Sequence, residues 1–296
     1  YIRMGTFHSV FSRILRENAE KIGFTDSFTI YEPSDCKNLL KTIVRELNLP
    51  DEKYKPNVLS SRISYAKNCL VTPGAYLANS TCAAEDRQAQ IPEFGNIYNI
   101  YCQRCKRNGA MDFDDLLLQT NILLRDCPDV LARYQEQFQY ILVDEYQDTN
   151  HAQYVLVREL AGVDTGEKAI PGAPNAGKSG PAWITVVGDS DQSIYAFRGA
   201  DIRNIQDFEQ DFPNAKTIML EQNYRSTQTI LDAANAVISN NEGRKPKKLW
   251  TALGKGEPIV GYAADNAQQE AQWVATEIAR LHAEAGIAYS DMAIMY

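Results

Sequence analysis

The chain has 296 residues, enough for about two domains of ordinary size and for a core that needs no disulfide or structural metal. Hydrophobic residues make up 44% and charged residues 23%, which excludes disordered and collagen-like sequence, and no apolar stretch approaches the roughly 18 residues of a membrane span. Thirty basic residues against 38 acidic ones give a net charge of −8, an argument against coating nucleic acid by bulk attraction, although a local track on an acidic body remains open.

In chain order, Phe11, Ile14, Leu15, Ala19 and Ile22 recur at helical spacing and predict a helix that Gly23 ends. Ser34 or Asp35 is placed to cap a second helix carrying Leu39, Leu40, Ile43, Val44 and Leu47, closed by Pro50. Further helices are predicted at about 60–68 and 97–107. Their polar faces hold Lys37, Lys41, Arg45, Lys53, Lys55, Arg62 and Lys67, read first as solvated charge and second as a surface for a phosphate backbone. Six cysteines are scattered through this helical sequence and beyond it, as in a reducing compartment. Cys102-Gln-Arg-Cys105 lacks a second pair at zinc spacing and reads as ordinary helix.

After Gly109 the pattern changes. A helix over 113–124 is followed by three apolar runs, Tyr140-Ile-Leu-Val143, Trp183-Ile-Thr-Val-Val187 and Lys216-Thr-Ile-Met-Leu220. Short continuous apolar runs separated by helical stretches predict buried parallel strands. Each ends in polar residues, at the edge where open α/β sheets place ligands. Residues 162–181 are rich in Gly and Pro and predict a long surface loop. The basic cluster Arg244-Lys245-Pro246-Lys247-Lys248 is most simply a solvated turn. A helix over 268–284 and a strand at Met292-Ala-Ile-Met-Tyr296 complete an α/β core preceded by an all-helical insertion.

Three clusters could carry chemistry. In Val143-Asp144-Glu145-Tyr146-Gln147-Asp148, a strand delivers adjacent carboxylates at its tip. The first can hold Mg²⁺ and the second can orient or deprotonate an attacking water, while a solvated acidic loop is the bland alternative. In Gly188-Asp-Ser-Asp-Gln192-Ser-Ile-Tyr195-Ala-Phe197-Arg198-Gly199, glycine permits close approach and Gln192 can read a terminal phosphate without adding charge. On an extended segment Tyr195 and Phe197 would point to one side, as an aromatic platform for single strands or as core packing. In Gln222-Asn-Tyr224-Arg225-Ser226, Tyr224 could stack on a base and Arg225 could neutralise charge on a transferred phosphoryl group; otherwise Ser226 simply caps a helix.

Together these segments resemble the superfamily 1A DNA helicases of the UvrD/PcrA/Rep type, through nearly the whole chain. Thr6-Phe7-His8-Ser9 is similar to motif Ib of that family, and Asp112-Phe-Asp-Asp-Leu116 to the segment that re-enters the first motor domain. Residues 144–148 resemble motif II, 188–200 motif III and Asn223-Tyr224-Arg225-Ser226 motif IV. The resemblance implies a RecA-like parallel-sheet motor of the P-loop NTPase type with a helical insertion and the start of a second RecA-like domain. It implies ATP and Mg²⁺ as cofactors, single-stranded DNA and its junctions with duplex as partners, 3′→5′ translocation, work in repair or replication beside repair proteins, and a cytoplasmic location. Asp144 would coordinate Mg²⁺, Glu145 would be the base, Gln192 would sense the γ-phosphate, Tyr224 would stack on adenine and Arg225 would serve as an arginine finger. Thr6, Phe7, His8, Tyr195, Phe197 and Arg198 would line the DNA track, with Phe197 where relatives commonly have Trp.

The implied domains are the end of a first RecA-like part over 1–12, a helical insertion over 13–108, the rest of that domain over 109–213 with a loop insertion at 162–182, and the start of a second over 214–296. The family's phosphate loop and its last motifs are not found in the sequence, so it is read as an internal piece expected to hydrolyse no ATP alone. Gly172-Ala-Pro-Asn-Ala-Gly-Lys-Ser179 fits the Walker A letters, but no apolar strand precedes it and Gly180-Pro181 blocks a helix after it. It reads as a flexible insertion. The rivals are the helicase subunit of a helicase–nuclease, an inert DNA- or protein-binding module of motor ancestry, and a GTPase-like switch on 172–179.

Overall fold

The computed structural model describes residues 2–162, 182–242 and 247–296. The Walker-like stretch 172–179 and Arg244, Lys245 and Pro246 of the basic cluster lie outside them. The chain divides into two compact units, Tyr1–Thr217 and Ile218–Tyr296.

In the first unit, α1 (Phe7–Glu17) begins where the Thr6 hydroxyl accepts the Ser9 amide, and it buries Phe11, Ile14 and Leu15 as their spacing requires. The helix breaks at Asn18. Ala19–Ile22 continue as a 3₁₀ turn that Gly23 ends at φ 74°. α2 (Pro33–Glu46) is capped two residues before Ser34, the earlier of the two expected caps. Pro33 takes the first helical position, so Glu32 is the cap residue, and its amide donates to the Asp35 carboxylate at 3.0 Å.

α3 (Pro56–Asn68), α4 (Pro73–Ala78), α5 (Ser80–Gln88) and α6 (Phe94–Arg107) follow. With α2 they bury one core that includes Leu40, Ile43, Leu59, Ile63, Phe94 and Tyr98. α4 is too short and α5 too polar to announce themselves by periodicity. The stretch between α1 and α7 is not wholly helical: β1 (Thr29–Ile30) pairs in parallel with β2 (Ala110–Met111).

α7 (Phe113–Asp126), α8 (Pro128–Gln137) and α9 (His151–Ala161) build a second core around Leu116, Leu117, Leu124, Tyr134 and Leu156. Phe11, Ile14, Leu15 and Phe28 belong to this core rather than to that of α2–α6. β3 (Tyr140–Val143) and β4 (Trp183–Val186) run parallel, with Val143 opposite Val186. Ile141, Val143, Ile184 and Val186 pack on a third cluster with Tyr146, Val157 and Phe208, while Tyr140, Leu142 and Trp183 are exposed. The runs predicted to be buried on both faces are thus buried on one. Alternation along a strand sends the remaining apolar residues to the opposite face. Short helices α10 (Arg203–Gln206) and α11 (Phe208–Asp211) follow.

The second unit holds α12 (Gln228–Ile238) and α13 (Ala267–Ala285), the latter as predicted. Asn235 on α12 donates to Leu249 O and accepts from Leu249 N, and Trp250 forms a single parallel bridge with Gln222. The strands predicted at 216–220 and 292–296 do not form, and Ile218, Leu220 and Ile294 are exposed. A helix closes its hydrogen bonds within itself, whereas a strand needs a neighbour. These two runs have none among the described residues.

Candidate nucleotide site and nucleic-acid surface

The parallel pair continues past the strand ends. Val187 N donates to Val143 O at 2.8 Å and Tyr146 N to Val187 O at 3.0 Å, so the turns after β3 and β4 leave side by side. Asp144 is exposed and accepts the Glu145 amide at 3.0 Å. Glu145 sits in the left-handed region at φ 50°, a conformation costing a non-glycine residue about 1–2 kcal/mol and concentrated at functional turns. Tyr146–Asp148 form a 3₁₀ turn whose anchor, Tyr146, is fully buried edge-on to Phe208.

Gln147 is 1% exposed. Its Nε2 donates to Glu145 Oε2 at 2.8 Å, and its Oε1 accepts the Asp189 amide at 2.9 Å. Asp189 in turn accepts from Gln192 Nε2 at 2.8 Å and from the Asp191 amide at 3.0 Å. Gly188 permits this approach, since a Cβ there would lie 2.5 Å from Gln147 Oε1 and 2.8 Å from Ile205 Cδ1. Glu145, Gln147, Asp189 and Gln192 therefore form one hydrogen-bonded chain, with Asp144 beside its first member. Sequence reasoning passed over Gln147 and Asp189, although both lie inside the stretches it singled out.

No group of three or more His, Cys, Asp or Glu among the described residues is arranged to hold a metal. The exposed Asp144 and Glu145 carboxylates are a donor set that fits Mg²⁺, which is held by one or two carboxylates plus substrate phosphates rather than by a protein cage. Burial raises the thiols of Cys102 and Cys105, the latter to about 12.

The turn after Gln192 is not extended. Ala196–Arg198 form a 3₁₀ turn, which sets the Tyr195 and Phe197 rings 6.0 Å apart at 46°, with Phe197 78% exposed. The Arg198 side chain lies outside the described residues. This turn is tied back to the carboxylate turn: Ala200 bridges Asn150, and Thr149 O accepts the Asp201 amide and Asn204 Nδ2, each at 2.9 Å.

At the other motif, Thr6 is exposed and Phe7 packs against both neighbouring cores. His8 stacks on Phe113 with centroids 4.2 Å apart, and burial lowers its pKa. Phe113, 57% exposed at the start of α7, is an aromatic the sequence reading quoted but did not assign.

Two residues assigned to solvated basic faces are paired within the protein. Arg62 pairs with buried Asp86 at 2.6 Å. Lys67 is fully buried between Asp112 and Asp115, at 2.7 Å from each. Its neighbour Asn68 donates to Asp114 Oδ1 at 2.9 Å and accepts from Asn150 Nδ2 at 2.7 Å, linking α3 to the start of α9.

In the second unit, Asn223 Oδ1 accepts the amides of Arg225 and Ser226, so Tyr224 and Arg225 are carried outward on a tight turn and both are exposed. Thr227, not Ser226, is the cap position of α12.

Adjacent parallel strands thus bring an Asp-Glu pair and a Gly-Asp-x-x-Gln turn together at their carboxyl ends, where α/β proteins with open sheets place their ligands. The chain belongs to the UvrD/REP helicase family: residues 1–213 match its N-terminal domain and residues 218–296 match the UvrD-like helicase C-terminal domain. Membership implies a RecA-like α/β fold, here rich in helix with two small parallel sheets. The chain is 48% identical over 297 residues to the ATP-dependent DNA helicase UvrD1 of Mycobacterium tuberculosis (strain ATCC 25618 / H37Rv), covering 100% of this chain and 37% of that protein. It is 46% identical to UvrD1 of Mycobacterium leprae over 99% of this chain and 36% of the relative. It is 47% identical to the ATP-dependent DNA helicase PcrA of Staphylococcus aureus (strain NCTC 8325 / PS 47), over 100% and 37%. The chain thus spans little more than a third of the length of these relatives. No helix among the described residues is long and apolar enough to cross a membrane.

Proposed function

We propose that the protein is an ATP-dependent DNA helicase that moves 3′→5′ along single-stranded DNA and opens duplex at single-strand–duplex junctions, in the cytoplasm, in repair or replication and beside repair proteins. The observation that carries this reading is the hydrogen-bonded chain from Glu145 through Gln147 and Asp189 to Gln192 at the carboxyl ends of β3 and β4. Bound Mg²⁺ would supply charge neutralisation at the transferred phosphoryl group. Asp144 is the residue that would hold it, and Glu145 would orient and deprotonate the attacking water. Gln192 would meet the terminal phosphate with a neutral donor. Tyr224 and Arg225 on the second unit would supply an adenine-stacking face and an arginine finger.

Phe197 and Tyr195 offer ring faces for bases, Thr6 and His8 offer polar groups for the strand, and Phe7 supports them from the core. We add Phe113 to this set and keep Arg198 in it. The proposed domains are a first RecA-like part at 1–12, a helical insertion at 13–108, the rest of the motor at 109–213 with its 162–182 loop, and a second RecA-like domain beginning at 214.

The reading is tested by ATP hydrolysis of the intact protein with and without oligo-dT, alongside the Glu145→Gln variant. DNA-stimulated turnover that falls at least about 100-fold in the variant, with oligo-dT still bound, is the expected result. Turnover at the wild-type rate in Glu145→Gln would remove Glu145 from the chemistry.

A further inference from the structure

We propose that Gln147 is the positioning residue of this site: it fixes the Glu145 carboxylate and makes its placement depend on the 188–193 turn. The inference rests on the reading of Glu145 as the base and adds a residue to which that reading gives no role.

The Gln147 amide has only one orientation that satisfies its surroundings. The Asp189 amide N–H is a donor and must meet Oε1, which turns the NH₂ group toward Glu145, where the carboxylate can only accept. No other side chain of that size serves both neighbours. Leucine would strand the Asp189 N–H. Glutamate would keep that bond but set an acceptor against the Glu145 carboxylate. Gln147 itself is 1% exposed, so its amide is answered by these two neighbours and not by bulk water.

The carboxylate it holds belongs to a residue at φ 50°, a backbone position that needs outside support to persist. The loop it reads is the one whose Asp189 also holds Gln192. A displacement of Gln192 therefore reaches Glu145 through two side chains, and Gly188 is the opening through which they meet.

Two readouts test this. Hydrogen exchange needs neither nucleotide nor turnover: the Asp189 amide should lose protection by about tenfold or more in Gln147→Leu and keep it in Gln147→Glu. Steady-state hydrolysis by the intact protein should then show kcat reduced about 100-fold in both variants, with KM for ATP within about twofold of wild type. In the Glu145→Gln background, Gln147→Leu should change the residual rate less than about twofold, because its effect passes through Glu145. Unchanged Asp189 exchange in Gln147→Leu, kcat within about threefold of wild type in Gln147→Glu, or a full multiplicative loss in the Glu145→Gln background would each overturn the proposal. Wild-type turnover in Glu145→Gln alone would instead overturn the reading of the base and leave the Asp189 exchange result standing.

Discussion

Two acidic motifs of the first unit look alike in sequence, and the fold uses them in opposite ways. Asp112-Phe-Asp-Asp115 opens α7, where Asp112 and Asp115 cap the helix reciprocally and enclose Lys67. Tyr101 adds a donor to Asp112 at 2.8 Å, so the cluster is closed and its charges are answered within the protein. Asp144-Glu145-Tyr-Gln-Asp148 follows a strand instead, and its first two carboxylates stay exposed on a left-handed turn. A helix start offers free amides and room for a buried partner, whereas a strand tip projects into solvent. The surroundings, not the acidity, separate a structural carboxylate from one available to a ligand.

Exchanging activity for stability as the readout should separate the two. The largest effect is expected at the open turn. Glu145→Gln should reduce DNA-stimulated hydrolysis by about 10²–10⁴-fold while thermal unfolding stays near wild type, because the side chain is exposed. A drop in melting temperature as large as that of a core variant would show that the turn is structural as well.

Next comes the closed cluster. Lys67→Met leaves two buried carboxylates without their cation and should cost about 3–5 kcal/mol in urea denaturation. Because Asn68 links the same helix end to Asn150, local exchange at the start of α9 should rise with it. A loss below about 1 kcal/mol would mean that the pair is solvated in solution.

A smaller effect belongs to the aromatic turn. Phe197→Ala should weaken oligo-dT binding by about 1–3 kcal/mol, the contribution of one stacked base, with hydrolysis at saturating DNA less affected. Equal affinity in the variant would assign that exposed ring to something other than DNA.

Much of this was legible before the fold. The helices α1, α2, α7 and α13 follow from apolar spacing, and the strand ending at Val143 follows from its short apolar run. What stayed hidden depended on partners distant in sequence. Lys67 reads as one more surface cation until Asp112, 45 residues on, arrives beside it. Gln147 reads as a spacer in an acidic motif until Asp189, 42 residues on, donates to it. The runs at 216–220 and 292–296 carry strand composition, but pairing depends on a neighbour that composition does not name.

The last expected effect is a pH dependence confined to the closed cluster. Burial, followed by the charge of Asp112, pushes Asp115 up to about 7. Burial also disfavours the charged forms of Lys67 and Asp112, but their mutual attraction prevails, raising Lys67 and lowering Asp112. The thiols of Cys36 on α2 and of Cys102 and Cys105 on α6 face the same cluster and are held neutral. Asp115 in the unfolded chain titrates near 4, so between about 4 and 7 the folded protein binds the extra proton and this group's contribution to stability falls as pH rises. Lys67 acts only above its ordinary alkaline range and Asp112 only below about 4, while Asp114, raised by burial and by the charge of Asp112, is present in both proteins compared, leaving Asp115 to set the difference between them. The difference in unfolding free energy between wild type and Asp115→Asn should therefore move in favour of wild type as pH is lowered from about 8 to about 5. Glu159, also pushed up to about 7 by burial, is present in both proteins and cancels. A difference that does not change with pH would mean that Lys67 keeps both carboxylates ionised, making the closed cluster a net anion in the core and sharpening its contrast with the open turn.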